Sequence, residues 1–148
     1  MAKFIYRMQS ILNIKNQLET QAKVELGQAQ QRLNEEEERL ERLFKRKKYY
    51  LEEGRRLRLD ALNVRSLRDN EYAIARMEEY IETQQDNVRK AELRVEAARA
   101  KLEEVMKERK MQEKLREKAF DQFVHEENSK ESKEVDELTS YTYGQKRG

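Results

Sequence analysis

The only histidine, His125, stands beside Glu126 and Glu127, a trio that could in principle supply a base or a metal-ligand set. One imidazole in a chain with no cysteine makes neither a thiolate site nor an activated nucleophile, and it reads as a solvated helix residue. The sequence holds no glycine-rich phosphate loop, no Gly-Lys-Ser/Thr and no His-Glu-x-x-His. No catalytic, cofactor-binding or metal-binding residue is therefore assigned, and the chain is expected to be no enzyme and to need no cofactor. Two charge runs remain, Glu35 to Glu38 and Lys45 to Lys48, and both read as solvated helix faces. The tyrosines are more suggestive. Tyr49, Tyr50, Tyr72 and Tyr80 gather around the middle of the chain, and tyrosine joins apolar area to a polar end, as protein interfaces favour.

Side chains of this kind need long exposed helices to carry them, and the composition supplies little else. Of 148 residues 42% are charged and 36% hydrophobic, with no Pro, Cys or Trp and four Gly. Ordinary globular domains have roughly 45–50% apolar and about 25% charged residues, so a single compact core is not expected. The formal net charge of +2 gives no field to draw the chain onto nucleic acid, and neither that partner nor membrane insertion is expected. The opening residues lack the apolar stretch of a signal peptide, and no run approaches the roughly 20 apolar residues of a membrane span.

Periodicity gives the architecture. Ile74, Met77, Ile81, Gln84, Val88, Ala91, Val95, Ala98, Leu102 and Val105 alternate at three- and four-residue steps, the spacing of a coiled-coil seam. In the first half Leu26, Ala29, Leu33, Leu40, Leu43, Tyr50 and Leu57 share a register, with Glu36, Lys47 and Gly54 in the gaps. Two slips are expected. Upstream, Met8, Ile11, Leu18 and Ala22 define a shifted register; beyond Val105 strict spacing would select Arg109, Gln112 and Arg116, whereas the apolar residues are Met106, Met111, Leu115, Ala119 and Phe123.

Between the seams, Gly54 to Leu67 fits neither register, and Asp60, Asn63 and Ser66 suit a turn or helix cap. The expected fold class is all-α, a long antiparallel two-helix coiled coil in which position i faces a position near 124 − i. The expected organisation is one coiled-coil domain over 1–148: helix 1 about 3–58, a turn about 59–66, helix 2 about 67–138 and a disordered tail at 139–148. The pairing brings the basic run near Glu78 and Glu79 and leaves the end of helix 2 overhanging.

Both ends also carry a resemblance. Phe4-x-Tyr6-Arg7-x-x-x-Ile11-Leu12-x-Ile14-Lys15, followed by Glu19 and Ala22-Lys23-x-Glu25-Leu26, resembles the start of the FliJ family of flagellar export proteins. Leu115-x-Glu117-Lys118 with Glu131-x-Lys133-x-x-Asp136-Glu137-Leu138 resembles its end. The resemblance implies a cytoplasmic, non-enzymatic stalk at the flagellar base, on the inner face of the cell membrane. Its implied partners are the hexameric export ATPase, the cytoplasmic part of the export gate and export chaperones, and the free chain is expected to be monomeric. On this reading the ATPase contact comprises Phe4, Met8, Ile11, Leu115, Phe120, Phe123, Asp136 and Glu137, and the gate contact Tyr49, Tyr50, Tyr72, Met77 and Tyr80. The alternatives are the stalk of a virulence-type secretion system and a homodimeric coiled-coil scaffold.

Overall fold

A computed structural model describes residues 2–59 and 63–147, with the side chains of 145–147 excepted. Two long helices, α1 (Gln9–Leu59) and α2 (Val64–Arg147), pack against each other as an all-α hairpin. The described residues form two compact units, each built from both helices: unit 1 is Met1–Thr20 with Glu103–Gly148, and unit 2 is Gln21–Leu102.

The expected antiparallel register is present in each unit. Phe4 meets Phe120, Gln9 meets Arg116 and Lys15 meets Glu108 in unit 1. In unit 2 Glu25 meets Lys101, Glu36 meets Gln84 and Lys47 meets Glu78. Leu33, Val88, Ala91 and Val95 form the buried centre of unit 2, with Leu26, Ala29 and Leu40 packed against them. These are the seam residues read from the sequence.

The two register slips are absent. From Leu12 the covered positions of α1 run Lys15, Glu19, Ala22 and Leu26 in unbroken three- and four-residue steps. On α2, Val105 is followed by Arg109 and Gln112, both at least half-buried, while Met111 and Leu115 stand outside. The polar seam residues find partners across the interface: the Arg109 guanidinium donates to Glu19, and the Tyr6 hydroxyl donates to Gln112 Oε1 at 3.2 Å. A heptad seam can continue through polar positions when opposite charges and hydrogen-bonding groups face each other, and no stutter is then required.

Element bounds also differ from the expectation. Helix α1 begins at Gln9 rather than near residue 3, because Phe4 is drawn onto α2 and the chain turns at Arg7 and Met8, with Gln9 N donating to Tyr6 O. Helix α2 begins at Val64, capped by the Asn63 side chain, which accepts from the backbone N–H of Arg65 and Ser66. Asp60, Ala61 and Leu62, the heart of the expected turn, lie outside the described residues. Residues 139–147, expected as a disordered tail, continue α2. No proline interrupts them, and Val135, Leu138, Thr139 and Thr142 recur at helical spacing along one side.

Gly54, where the stretch that fits neither register was expected to begin, lies buried inside α1. A Cβ there would come within 2.5 Å of Asn70 Oδ1, and Asn70 Nδ2 donates to Tyr50 O at 2.8 Å. The glycine admits a buried asparagine from the facing helix, so its weak helix propensity accompanies a close inter-helix approach.

Candidate functional site

Unit 1 assembles its candidate surface from a short arm and the two helices. Phe4 packs edge-on against Phe120, ring centroids 5.2 Å apart, and lies 5.4 Å from Phe123. The Arg116 guanidinium sits 5.7 Å from the Phe4 centroid while its Nε donates to Gln9 Oε1 at 3.0 Å. Phe4, Met8 and Phe123 share the walls of an open 650 Å³ concavity with Ala119 and Glu126. Aromatic edges, an arginine face and an apolar hollow suit a helix or loop with an apolar anchor.

Not every expected contact residue joins that hollow. Ile11 and Leu115 are partly exposed and outside it, and Asp136 and Glu137 are exposed on the later part of α2. The exposure of Ile11, Ile14, Leu18, Met111 and Leu115 follows from the uninterrupted seam. Glu19, Arg109 and Gln112 take seam positions alongside Leu12 and Val105, so these apolar side chains fall off the seam and face outward. Arg109 holds the arrangement. Its hydrogen bond to Glu19, then that to Glu113 at 2.9 Å, raise its pKa above the ordinary arginine value, and it remains charged.

The second candidate surface lies in unit 2. Tyr49 and Tyr50 pair with centroids 5.6 Å apart, and Arg76 lies 5.5 Å over the Tyr72 ring. Tyr49, Tyr72 and Tyr80 are exposed, whereas Tyr50 is half-buried and its carbonyl receives Asn70. Among the described residues no ring pair joins the α1 tyrosines to those of α2. Met77, expected as part of the gate contact, is 7% exposed. It packs in the seam, where its own heptad position places it, and offers no surface to a partner.

Sequence reasoning missed the polar interior of unit 2. Glu36 is 2% exposed; its Oε1 accepts from Arg32 at 3.0 Å and Arg39 at 3.3 Å, and its Oε2 accepts from Gln84 Nε2. The same Gln84 nitrogen donates to Glu36 O at 2.9 Å, and Asn87 Nδ2 donates to Gln84 Oε1 at 3.1 Å. Two facing polar seam positions, Glu36 and Gln84, were the available signal. Among the described residues no group of His, Cys, Asp or Glu could hold a metal ion, and no helix is long and apolar enough to cross a membrane.

No curated protein and no solved structure matched the chain. A family model did, that of the flagellar FliJ protein, over residues 4–148. With that match spanning nearly the whole sequence, and with a two-helix hairpin beneath it, this chain belongs to the FliJ family.

Proposed function

We propose that this flagellar export protein is the central stalk of the export apparatus, inserted in the hexameric export ATPase, promoting its assembly and activity, and linking it to the membrane export gate. Family membership supports the coarser statement, a non-catalytic component of flagellar protein export. The finer role places the protein in the cytoplasm at the inner face of the membrane, with export chaperones as further partners. One observation carries it: in unit 1 the Glu19–Arg109 and Tyr6–Gln112 pairs share the seam with buried Leu12 and Val105, and Ile11, Leu18, Met111 and Leu115 stand outside. Apolar side chains released from an interior by its own polar pairing are available to a second protein. Their dispersion over two helices suits a ring whose subunits meet the stalk at different faces.

The test is ATP turnover and ring formation by the flagellar export ATPase, with and without this chain at equal stoichiometry. Stimulation accompanied by hexamers on electron micrographs is the expected result. Removal of residues 124–148, which takes away Asp136, Glu137 and, from the edge of the hollow, Glu126, is expected to reduce the stimulation severalfold. Undiminished stimulation by that truncation would remove the open end of α2 from the ATPase contact.

The gate contact is assigned to Tyr49, Tyr72 and Tyr80, with Tyr50 holding Tyr49 from behind. Their exposure means that alanine replacement should leave the helical content intact. Triple substitution to alanine is expected to weaken binding to the cytoplasmic gate domain by about 2 kcal/mol or more, the scale of aromatic hot spots. Titration calorimetry against that domain reads it directly, and wild-type affinity would refute the assignment.

A further inference from the structure

One face of unit 2 is strongly basic, and the stalk role leaves it unused. Arg32, Arg39, Lys90 and Arg94 surround a 260 Å³ concavity whose only acid is the fully engaged Glu36. An adjoining 350 Å³ concavity has Leu43 as its apolar floor between Arg39, Arg42 and Arg46. Arg32 also lies 3.9 Å from Glu35, but among the described residues Arg42, Arg46, Lys90 and Arg94 have no ion-pair partner. From Arg32 to Arg46 the strip runs about 21 Å along α1 at 1.5 Å per residue. A single small anion would use a fraction of it. The strip fits a helix of about four turns carrying carboxylates and at least one apolar anchor.

The chain carries such a helix itself. Residues 126–138 hold six acidic side chains against two lysines, all within α2, and 130–138 are exposed throughout. Val135, Leu138, Thr139 and Thr142 line an apolar hollow of 380 Å³ on this segment, flanked by Glu131, Glu134 and Glu137. The spacing matches as well. Glu134 and Glu137 repeat the interval of Arg39 and Arg42, so a parallel alignment sets each carboxylate against a guanidinium.

We infer that the basic groove of unit 2 receives the acidic end of α2 from a second copy of this chain. Arg42, Arg46, Lys90 and Arg94 act as exposed cations that gain partners, and Leu43 gains a covering side chain. Because most of these charges are solvated in the free chain, the contact is weak and salt-dependent. The monomer expected from the sequence is then the dilute state.

The experiment is the light-scattering mass of the full chain as a function of concentration, at about 0.05 M and about 0.5 M salt. The expected result is a mass above 17.9 kDa that grows with concentration at low salt and returns to the monomer at high salt. Arg42→Glu/Arg94→Glu and Glu134→Lys/Glu137→Lys each reverse exposed charges and should stay helical by circular dichroism. Each variant alone is expected to associate at least about tenfold more weakly, and a mixture of the two to associate again. A monomeric mass under all conditions overturns the inference and leaves the groove to an acidic helix of another protein. So does association that survives both charge reversals, or a mixture of the variants that stays monomeric.

Discussion

Gln84→Leu is expected to lower the stability of the hairpin by about 2–3 kcal/mol, the cost of withdrawing a hydrogen bond from a buried charged group. The amide is the inter-helix donor to Glu36 Oε2, whereas Arg32 and Arg39 both address the other oxygen. With leucine at 84, that oxygen faces an apolar side chain in a position from which water is excluded. Adding Glu36→Leu should reverse the loss, since replacing both members of a buried polar pair by apolar residues of similar size is neutral or stabilising. Urea denaturation of the two variants beside the parent reads both effects. A parent-like Gln84→Leu would mean that the two arginines satisfy the carboxylate unaided. The doubly apolar variant should also be less particular about pairing, because a buried polar layer disfavours slipped registers and alternative oligomers.

That polar layer shows how the sequence was legible in one unit and misleading in the other. Unit 2 has β-branched and aliphatic residues at most of its α2 seam positions, so hydrophobic spacing located Ile81, Val88, Ala91 and Val95 correctly, and the 124 − i pairing followed from the central break. In unit 1 many of the apolar residues stand outside the seam, and polar ones share it with Leu12 and Val105. Reading Ile11, Leu18, Met111 and Leu115 as buried required two slips, whereas the helices keep step and bury Leu12 and Glu19. Hydrophobicity alone cannot find such a seam; opposite charges at facing heptad positions, Glu19 with Arg109, would have. The candidate site was partly legible for the same reason. Aromatic type identified Phe4, Phe120 and Phe123, and the rings do meet, but the arm that delivers Phe4 is not helical and no periodicity describes it.

The interlock of Gly54 and Asn70 gives the second large effect, and its sign is opposite to helix propensity. Alanine in place of an interior helix glycine ordinarily gains about 1 kcal/mol. At Gly54 the new methyl group would displace Asn70, whose amide would lose Tyr50 O while remaining among packed side chains. An unsatisfied buried amide costs about 1–3 kcal/mol, so Gly54→Ala should be net destabilising, and Gly54→Val more so because its branched side chain cannot turn away from the facing helix. The Tyr50 carbonyl keeps its place within α1 whether or not Asn70 is present. Asn70→Ala therefore removes the obstacle without orphaning an acceptor, and the Gly54→Ala/Asn70→Ala pair should recover stability to near the parent. Thermal melts of the three variants and the parent complete the cycle. Additive losses in the double variant would show that Gly54 and Asn70 act independently, in which case the glycine would be only a weak point of α1. Strong recovery would make the pair the fixed point of unit 2 nearest the connection between the helices.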